Sequence, residues 1–242
     1  MDFGNVAMYL SVVLPAFAEA ENLEVILPKI KAALKDIDAE IVVVDTMTPT
    51  DQTPRVCEQS GVRYVARRNG NNYGDAIRTG IEEARGKYTL MMDADGSHSP
   101  EAIAGFLNEA EQDNCDLVIG SRYCENGETE NIAVLRFMSY VLNVSYRVIF
   151  RLNVFDISDS FRLYKTEQLK RLKLKCDNFD IVEEILIALT LLYPEMKIKE
   201  IPICFKKRAF GESKRNLFKF ILSYIFTIFR LLKIKRALKS GK

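Results

Sequence analysis

The sequence predicts an α/β fold, in which helices cover both faces of a largely parallel β-sheet. Short apolar, β-branched runs alternate with segments of helical periodicity through the first half of the 242 residues. The 48% hydrophobic content is enough to bury the core of one large domain of this class. We therefore expect a single α/β domain.

The first three strands are recognised by their β-branched residues. The run 9–14 stops at Pro15, the run 41–44 stops at Asp45, and residues 62–66 form a third run. A helix is predicted between the first two strands, because apolar residues recur there every three or four positions. These positions are Leu23, Ile26, Leu27, Ile30 and Leu34.

The segment 87–100 combines a short apolar strand with the acidic turn, residues 93–98. Asp93 and Asp95 end the strand, and the glycine that follows permits a tight turn. Ser99, followed by a proline, predicts the cap of a helix. Two carboxylates on one turn repel each other unless a cation lies between them, and Mg²⁺ takes such oxygens together with substrate phosphates. A solvated Asp/Gly turn is the alternative, but the flanking elements favour a metal site at a strand end.

The segment 67–76 joins the third strand to a helix that runs to about residue 85. Its two arginines, two glycines and free backbone N–H groups suit the phosphates of a nucleotide. The Gly-x-Gly-x-x-Gly spacing of dinucleotide-binding loops is absent. A plain loop before a helix accounts for these residues equally well.

In the second half of the chain the predicted elements are longer and more apolar. Residues 132–151 predict a helix that carries Arg136, and residues 181–192 predict a second apolar helix. A polar turn at 156–162 leads into a short strand, and residues 197–205 predict another strand.

Charge is distributed unevenly along the chain. Residues 206–242 carry +11 and the remainder carries −10, although the formal net charge is +1. The apolar run 217–238 is flanked by Lys and Arg, which predicts a basic amphipathic helix on an anionic membrane surface. Lys219 and Arg230 interrupt the run, so it is not predicted to span a membrane. Packing of this helix on the domain or on a second subunit is the alternative, which leaves a homodimer possible.

The cysteines and the N-terminus bear on the compartment. Five cysteines without metal-type pair spacing predict reduced thiols, as in cytoplasmic proteins. No charged segment precedes an apolar run at the N-terminus, so no signal peptide is predicted. We therefore expect a cytoplasmic protein that is peripheral at the membrane.

Seven motifs follow one another from about residue 9 to residue 214. They are 13–16 with Glu19 and Asn22, 43–45, 70–80, 92–98, 120–123, 156–162 and 208–214. This ordered series resembles the family-2 glycosyltransferases, and among them the dolichyl- and polyprenyl-phosphate sugar synthases. The resemblance implies a glycosyltransferase-A fold, which is built on a Rossmann-like sheet. Residues 1–214 would form the catalytic domain. Residues 215–242 would be the basic amphipathic helix.

The resemblance also assigns roles to individual residues. Asp93 and Asp95 would hold Mg²⁺ or Mn²⁺ on the donor pyrophosphate, with Ser97 as a third ligand through its hydroxyl or a water molecule. Asp45 would contact the base or ribose. The remaining residues of the nucleotide-sugar pocket would be Pro15, Ala16, Glu19, Gly70, Asp93, Ala94 and Lys214. The catalytic set would comprise Asp95 with three arginines around the donor and acceptor phosphates, Arg122, Arg136 and Arg208.

The activity that the resemblance implies is inverting transfer of a sugar to a polyprenyl or dolichyl phosphate. The donor would be GDP-mannose or a UDP-sugar, and no nucleic-acid partner is expected. A phosphate acceptor is already an anion, so it needs charge neutralisation by metal and arginines rather than a general base. His98 beside the acidic turn is expected to be a neutral structural histidine.

Two departures from the family pattern leave alternatives open. Thr46 follows Asp45 where a second acid is usual, and Ser160 stands where glycine is usual. One alternative is a family-2 transferase acting on a glycan hydroxyl, which would need a carboxylate base. The candidates for that base are Asp156, Asp159, Glu183 and Glu184. The other alternative is a nucleotide-sugar-binding protein without activity.

Overall fold

The computed structural model describes residues 8–208, 210 and 217–239. Within these residues a seven-stranded sheet has the order β3-β2-β1-β4-β7-β5-β8, and β6 pairs with β9 in a separate two-stranded sheet. The strands are β1 (Leu10–Pro15), β2 (Ala39–Asp45), β3 (Arg63–Ala66), β4 (Tyr88–Met91), β5 (Leu117–Ser121), β6 (Glu128–Thr129), β7 (Arg162–Lys165), β8 (Ile198–Pro202) and β9 (Cys204–Phe205). The helices are α1 (Ala20–Ala33), α2 (Thr53–Gln59), α3 (Tyr73–Glu83), α4 (Ile103–Gln112), α5 (Ala133–Phe150), α6 (Thr166–Lys170), α7 (Ile181–Leu192) and α8 (Leu217–Lys239).

The first four strands are parallel, as predicted. β1 pairs with β2 on one side and with β4 on the other. The chain therefore moves outward from β1 through β2 to β3 and then returns to the opposite side of β1. The loops that follow β1 and β4 separate at this point, which opens a crevice at the carboxyl ends of the strands.

The core has two parts, one on each face of the sheet. Along β1 the side chains of Val12 and Leu14 belong to one cluster and Val13 to the other, as the two-residue period of a strand requires. Helices α1 and α4 cover the first face, where Phe106 is fully buried. Helices α3 and α7 cover the second. Both faces are thus covered, which confirms the predicted α/β class.

Strand β7 is antiparallel to both of its neighbours, β4 and β5. In the ladder with β4, Met91 pairs with Arg162. Continuing this register by two residues places Ser160 opposite Asp93. The turn that precedes β7 therefore reaches the sheet at the edge where β4 leaves it. The largely parallel sheet that the sequence predicts is correct, but this antiparallel strand was not anticipated.

The predicted helix after the acidic turn is present, with Ser99 at the N-cap position and Pro100 in the first turn, but the expected capping hydrogen bond is absent. A 3₁₀ turn at Pro100–Ala102 leads into α4, and the Ser99 side chain makes no capping hydrogen bond. Instead its hydroxyl donates to a carboxylate oxygen of Glu101 at 2.7 Å.

Helix α8 packs on α7 and lies beside α5. Leu231 is fully buried and Tyr224 nearly so, while the Thr227 hydroxyl donates to Asp180. The hydroxyl of Tyr146 on α5 donates to the backbone carbonyl of Tyr224 at 3.4 Å. Among the described residues, no helix combines the length and hydrophobicity that a membrane crossing requires.

Candidate active site

Three strand ends meet at one edge of the sheet and bring the predicted site residues together. Pro15 ends β1, Asp45 ends β2, and Asp93 comes two residues after the end of β4. Ala16 and Asp45 are buried, whereas Asp93 is half-buried. The carboxyl edge of a parallel sheet is where α/β folds bind ligands, so the crevice between these strand ends is the candidate active site.

The acidic turn is tightly folded around Asp95. Gly96 has a φ of 81°, the left-handed conformation that glycine adopts without strain. The backbone N–H of Ser97 donates to Asp95 Oδ1 at 3.0 Å. The hydroxyl of Ser97 is fully buried and has no hydrogen-bond partner in the part of the chain that the structure describes. A buried polar atom normally has a partner, so this hydroxyl beside two carboxylates fits a further ligand such as a cation.

The donor set of the turn fits a hard divalent ion. The residues described contain no group of three or more His, Cys, Asp or Glu side chains that could hold a metal by themselves. Asp93, Asp95 and the Ser97 hydroxyl would supply oxygen ligands only. Mg²⁺ is usually held in this way, by one or two carboxylates with the rest of its ligands from water and substrate phosphates.

Arg208 places a positive charge on these carboxylates. Its Nε lies 2.8 Å from Asp95 Oδ2, and its Nη1 lies 3.8 Å from Glu19 Oε1. Burial raises the pKa of Glu19, and the charges of Asp95 and Asp93 add to that rise, whereas the Asn22 side chain and Arg208 oppose it. Arg208 therefore lies between two acids, Asp95 and Glu19, and this excess of negative charge favours a cation in the crevice.

Backbone contacts hold the described part of the basic loop, residues 206–215, over the crevice. The N–H of Lys206 donates to the carbonyl of Ser97 at 3.0 Å, which ties the loop to the acidic turn. The N–H of Phe210 donates to Asn22 Oδ1 on α1 at 3.0 Å. Arg208 lies between these two attachments, so the loop presents it to the strand ends. Lys214, predicted to bind the nucleotide sugar, lies outside the described residues.

His98, the last residue of the acidic turn, links the turn to neighbouring side chains. The backbone N–H of Asp93 donates to His98 Nδ1 at 3.0 Å, so this nitrogen carries no proton in the observed arrangement. The ring is fully buried and stacked on Phe161, with centroids 4.7 Å apart. Its Nε2 faces Asp159 Oδ1 at 3.3 Å. Burial lowers the pKa of His98, but Asp159 and Asp93 outweigh that effect and raise it.

Arg122 forms a buried bidentate ion pair. Its Nε and Nη2 donate to the two carboxylate oxygens of Asp156 at 2.7 and 2.8 Å, and Nε lies 3.2 Å from Asp159. Burial raises the pKa of Asp159, but Arg122 and His98 outweigh it and lower that pKa to about 2. Nε and Nη2 of the guanidinium are thus engaged by the protein, so Arg122 supplies a fixed positive charge, and its contact with a substrate phosphate stays a prediction.

Asp45 lies at the bottom of the crevice, with the hydroxyl of Tyr64 at 3.4 Å. Burial raises its pKa, and the charge of Asp51 adds to the rise while Arg67 opposes it. Thr46, which replaces an acid in the family pattern, donates its hydroxyl to the carbonyl of Thr48 at 2.7 Å. The Thr46 hydroxyl therefore stabilises its own turn.

The two arginines of the 67–76 segment serve structural roles. Arg67 is buried and donates to the backbone carbonyls of Asn71, at 2.5 Å, and Ala16. Arg68 pairs with Glu82 at 2.7 Å on the surface. A plain loop before a helix therefore describes these arginines better than a phosphate-binding edge.

The remaining predicted residues are placed in different surroundings. Gly70 lies in that same loop, where a Cβ atom would stand 2.5 Å from a carboxylate oxygen of Asp75. Ala94 is buried within the acidic turn. Arg136 is exposed on the first turns of α5 and makes no ion pair with any residue that the structure describes. The structure therefore does not bring Arg136 into contact with the acidic turn.

The sequence did not predict that two residues, Tyr73 and Ser160, donate hydrogen bonds to Asp93. The hydroxyl of Ser160 donates to Asp93 Oδ1 at 3.0 Å, and that of Tyr73 to the same oxygen at 3.3 Å. Tyr73 opens α3 after the loop that the sequence singles out, and Ser160 is a visible departure from the family pattern. Neither position reveals its contact, because both contacts join residues far apart in sequence.

Comparisons with known proteins are consistent with this geometry. The family model described as "Glycosyl transferase family 2" matches residues 11–173. A dolichol-phosphate mannosyltransferase of Pyrococcus furiosus is 34% identical over 232 residues, a match that covers 93% of this chain and 64% of that protein. The chain thus spans less than two thirds of that relative. An undecaprenyl-phosphate mannosyltransferase of Micrococcus luteus is 31% identical, and the match covers 86% of this chain and 88% of that protein.

The fold is also similar to that of solved structures. Glucosyl-3-phosphoglycerate synthase from Mycobacterium tuberculosis, in complex with Mn²⁺ and UDP-glucose, superposes with a TM-score of 0.71 and 19% identity. The match covers 93% of this chain and 78% of that one. At this level of identity the likeness concerns the fold, and it agrees with the glycosyltransferase-A architecture.

Proposed function

Because the chain belongs to glycosyl transferase family 2, we propose that it transfers a sugar from a nucleotide-diphosphate sugar to a polyprenyl phosphate. Relatives named as mannosyltransferases of dolichol phosphate and undecaprenyl phosphate support this acceptor class. They favour mannose as the sugar and GDP-mannose as the donor, with a UDP-sugar as the alternative. The reaction would invert the configuration at the anomeric carbon.

One observation carries the choice of acceptor: the four carboxylates that the sequence nominates as a general base are already engaged or buried. Asp156 and Asp159 pair with Arg122. Glu183 is fully buried, and burial raises its pKa to about 8. Glu184 accepts backbone N–H bonds from the 175–176 segment, the shortest at 2.7 Å. A glycan hydroxyl would need a base to remove its proton, whereas a phosphate acceptor arrives as an anion and needs none.

In the proposed reaction Asp93, Asp95 and the Ser97 hydroxyl would hold Mg²⁺ or Mn²⁺ on the donor pyrophosphate. The ion would neutralise the charge that develops on the departing nucleoside diphosphate. Glu19 and Arg208 border the same space and set its charge balance. The Mn²⁺ bound by the structural neighbour supports a divalent ion here.

The nucleotide itself would bind along the strand ends. We assign Pro15, Ala16 and Asp45 to the base and ribose, because they line the crevice at β1 and β2. Ala94 and Gly70 would border this pocket where a larger side chain would collide with its neighbours. Lys214 stays a predicted contact of the donor phosphates.

A donor and acceptor panel tests the function and separates its rivals. Release of nucleoside diphosphate is measured from GDP-mannose and UDP-sugars, with and without a short polyprenyl phosphate. We expect release from one donor that depends on the polyprenyl phosphate. Release that requires a glycan instead would support the hydroxyl-acceptor alternative. Donor binding without release under any condition would support a binding protein without activity.

The proposed phosphate acceptor predicts a strict requirement for arginine. Arg136→Lys and Arg208→Lys should each lower turnover of polyprenyl phosphate by roughly tenfold, about the value of one charge-assisted hydrogen bond. A lysine ammonium keeps the charge but lacks the planar fork that binds two phosphate oxygens. Arg171→Lys, which changes an exposed arginine paired with Glu167 on α6, is the control. Transfer to the free polyprenol at a comparable rate would exclude a phosphate-specific site.

Two helices expose apolar faces that suit a lipid-bound acceptor. On α5, Phe137 is 68% exposed and Val148 72% exposed, and Val134 and Val141 lie on the same face at helical spacing. On α8, Phe226 and Phe229 are 70% and 67% exposed. We propose that these faces contact an anionic membrane surface, to which the basic residues of 206–242 add electrostatic attraction.

Vesicle binding tests this surface. The double variant Phe226→Ser/Phe229→Ser should bind anionic vesicles more weakly than wild type, because its apolar contact is lost. Binding of both proteins should weaken as salt rises, since exposed charges are screened. Truncation after residue 215 should reduce binding further, but it also removes Leu231 from the core. The double variant is therefore the cleaner test, measured by co-sedimentation at low and high salt. Equal pelleting of wild type and double variant would indicate a packing or dimerisation face instead.

A further inference from the structure

Asp93 is oriented by hydroxyl groups from two separate elements. Ser160, in the turn before β7, donates to Asp93 Oδ1 at 3.0 Å, and Tyr73, at the start of α3, donates to the same oxygen at 3.3 Å. Two donors on one carboxylate oxygen fix the plane of the carboxyl group and hence the direction of its second oxygen. Tyr73 is itself held in place by stacking on Phe179, with centroids 4.3 Å apart.

The turn before β7 contacts the acidic turn a second time, through Asp159. Asp159 Oδ1 lies 3.3 Å from His98 Nε2, and the other ring nitrogen of His98 accepts the backbone N–H of Asp93. The N–H of Phe161 also donates to Asp159 Oδ1 at 2.8 Å, which fixes that carboxylate. Both the side chain and the backbone of Asp93 are therefore supported by residues 159–161.

These contacts follow from the strand register rather than from chance proximity. The antiparallel ladder ends with the pair Met91–Arg162, and extending its register by two residues brings Ser160 opposite Asp93. Any residue at position 160 would face Asp93, but glycine or alanine there would offer it no hydroxyl. The hydrogen bond to Asp93 thus depends on the serine at position 160, whereas the position itself is set by the backbone.

We infer that Ser160 is a positioning residue for the metal site: its hydroxyl, together with that of Tyr73, orients Asp93 toward the bound cation. This inference rests on the metal role of Asp93 in the proposed function. Residues that hydrogen-bond to metal ligands typically change metal affinity by 10–100-fold when they are removed. Because Tyr73 still donates to Asp93 when the Ser160 hydroxyl is removed, we expect the loss of metal affinity to be near the lower limit of this range.

The test is Mn²⁺ binding to the full chain, measured alone and with GDP or UDP present. It follows the electron paramagnetic resonance signal of free Mn²⁺ against a blank without protein. Ser160→Ala should raise the Mn²⁺ dissociation constant by roughly tenfold, and Ser160→Thr, which keeps the hydroxyl, should restore it. Tyr73→Phe should act in the same direction while it keeps the ring stacked on Phe179. Ser158→Ala is the matched control, because that hydroxyl contacts Arg122 at 2.8 Å instead of Asp93.

The outcomes separate the inference from the proposed function. An unchanged dissociation constant in Ser160→Ala and Tyr73→Phe, beside normal binding by wild type, would overturn the inference alone. An equal loss in Ser158→Ala would overturn it too, since the effect would then belong to the stability of the turn. The absence of saturable Mn²⁺ binding by wild type both alone and with GDP or UDP present would overturn both the inference and the metal role. Recovery of turnover in Ser160→Ala at high Mn²⁺ concentration would support a positional defect.

Discussion

Asp95→Asn should abolish metal-dependent sugar transfer while the protein stays folded. The amide keeps the size of the carboxylate and can still accept the backbone N–H of Ser97 that Asp95 Oδ1 accepts at 3.0 Å. It lacks the negative charge that a divalent ion requires and that now pairs with Arg208. Loss of one preorganised electrostatic contact in an active site typically costs about 10²–10³-fold in turnover, and loss of the ion itself should cost at least as much.

The measurement is turnover at saturating Mn²⁺ and Mg²⁺, with thermal unfolding as the check on folding. Glu101→Gln is the matched control, because it also neutralises an acid near the acidic turn but one that is exposed and contacts Ser99. We expect that control to remain active. Full activity of Asp95→Asn, or of wild type in excess chelator, would exclude the metal role and weaken the functional proposal.

Asp156→Ala should produce the largest loss of stability. Arg122 is only 9% exposed, and the substitution would remove both of its strongest acceptors. Removing one partner of a buried ion pair typically lowers the free energy of unfolding by about 3–5 kcal/mol, because the other charge remains buried without compensation. Asp159, 3.2 Å from Arg122, would retain part of the pairing and so moderate the effect.

Urea denaturation of wild type and variant measures this difference. Glu167→Ala serves as the control, because it breaks an exposed ion pair with Arg171 on α6 and should change stability little. If Asp156→Ala and Glu167→Ala unfold at the same urea concentration, the buried pair does not have the structural importance assigned to it.

Local rules were sufficient to predict the strand ends and the acidic turn. The β-branched runs before Pro15 and Asp45 and the apolar run before Asp93 identify strands, and the carboxyl ends of neighbouring parallel strands must lie at one edge of a sheet. The glycine after Asp95 was assigned to a tight turn for its conformational freedom, and its φ of 81° confirms that assignment. These features depend on residues adjacent in sequence.

Contacts between distant residues could not be predicted in the same way. The four residues of β7 carry no signal that distinguishes a central antiparallel strand from an edge strand, so the position of Ser160 beside Asp93 stayed hidden. The ion pair of Arg122 with Asp156 joins residues that are 34 positions apart, so it was hidden as well. Ser99 lies at the predicted N-cap position, but its side chain contacts the Glu101 carboxylate and makes no capping hydrogen bond.

The ion pair between Arg208 and Asp95 would make metal binding in the proposed function an exchange reaction. A divalent ion that takes Asp95 Oδ2 would have to displace the guanidinium that lies 2.8 Å from it. The free energy of metal binding would then include the cost of breaking this pair, and the displaced arginine would become available to a phosphate. Linkage is reciprocal, so a phosphate that holds Arg208 away from Asp95 would strengthen metal binding by the same factor. In the proposed reaction, occupancy of the metal site and of the phosphate site would therefore be coupled through one guanidinium.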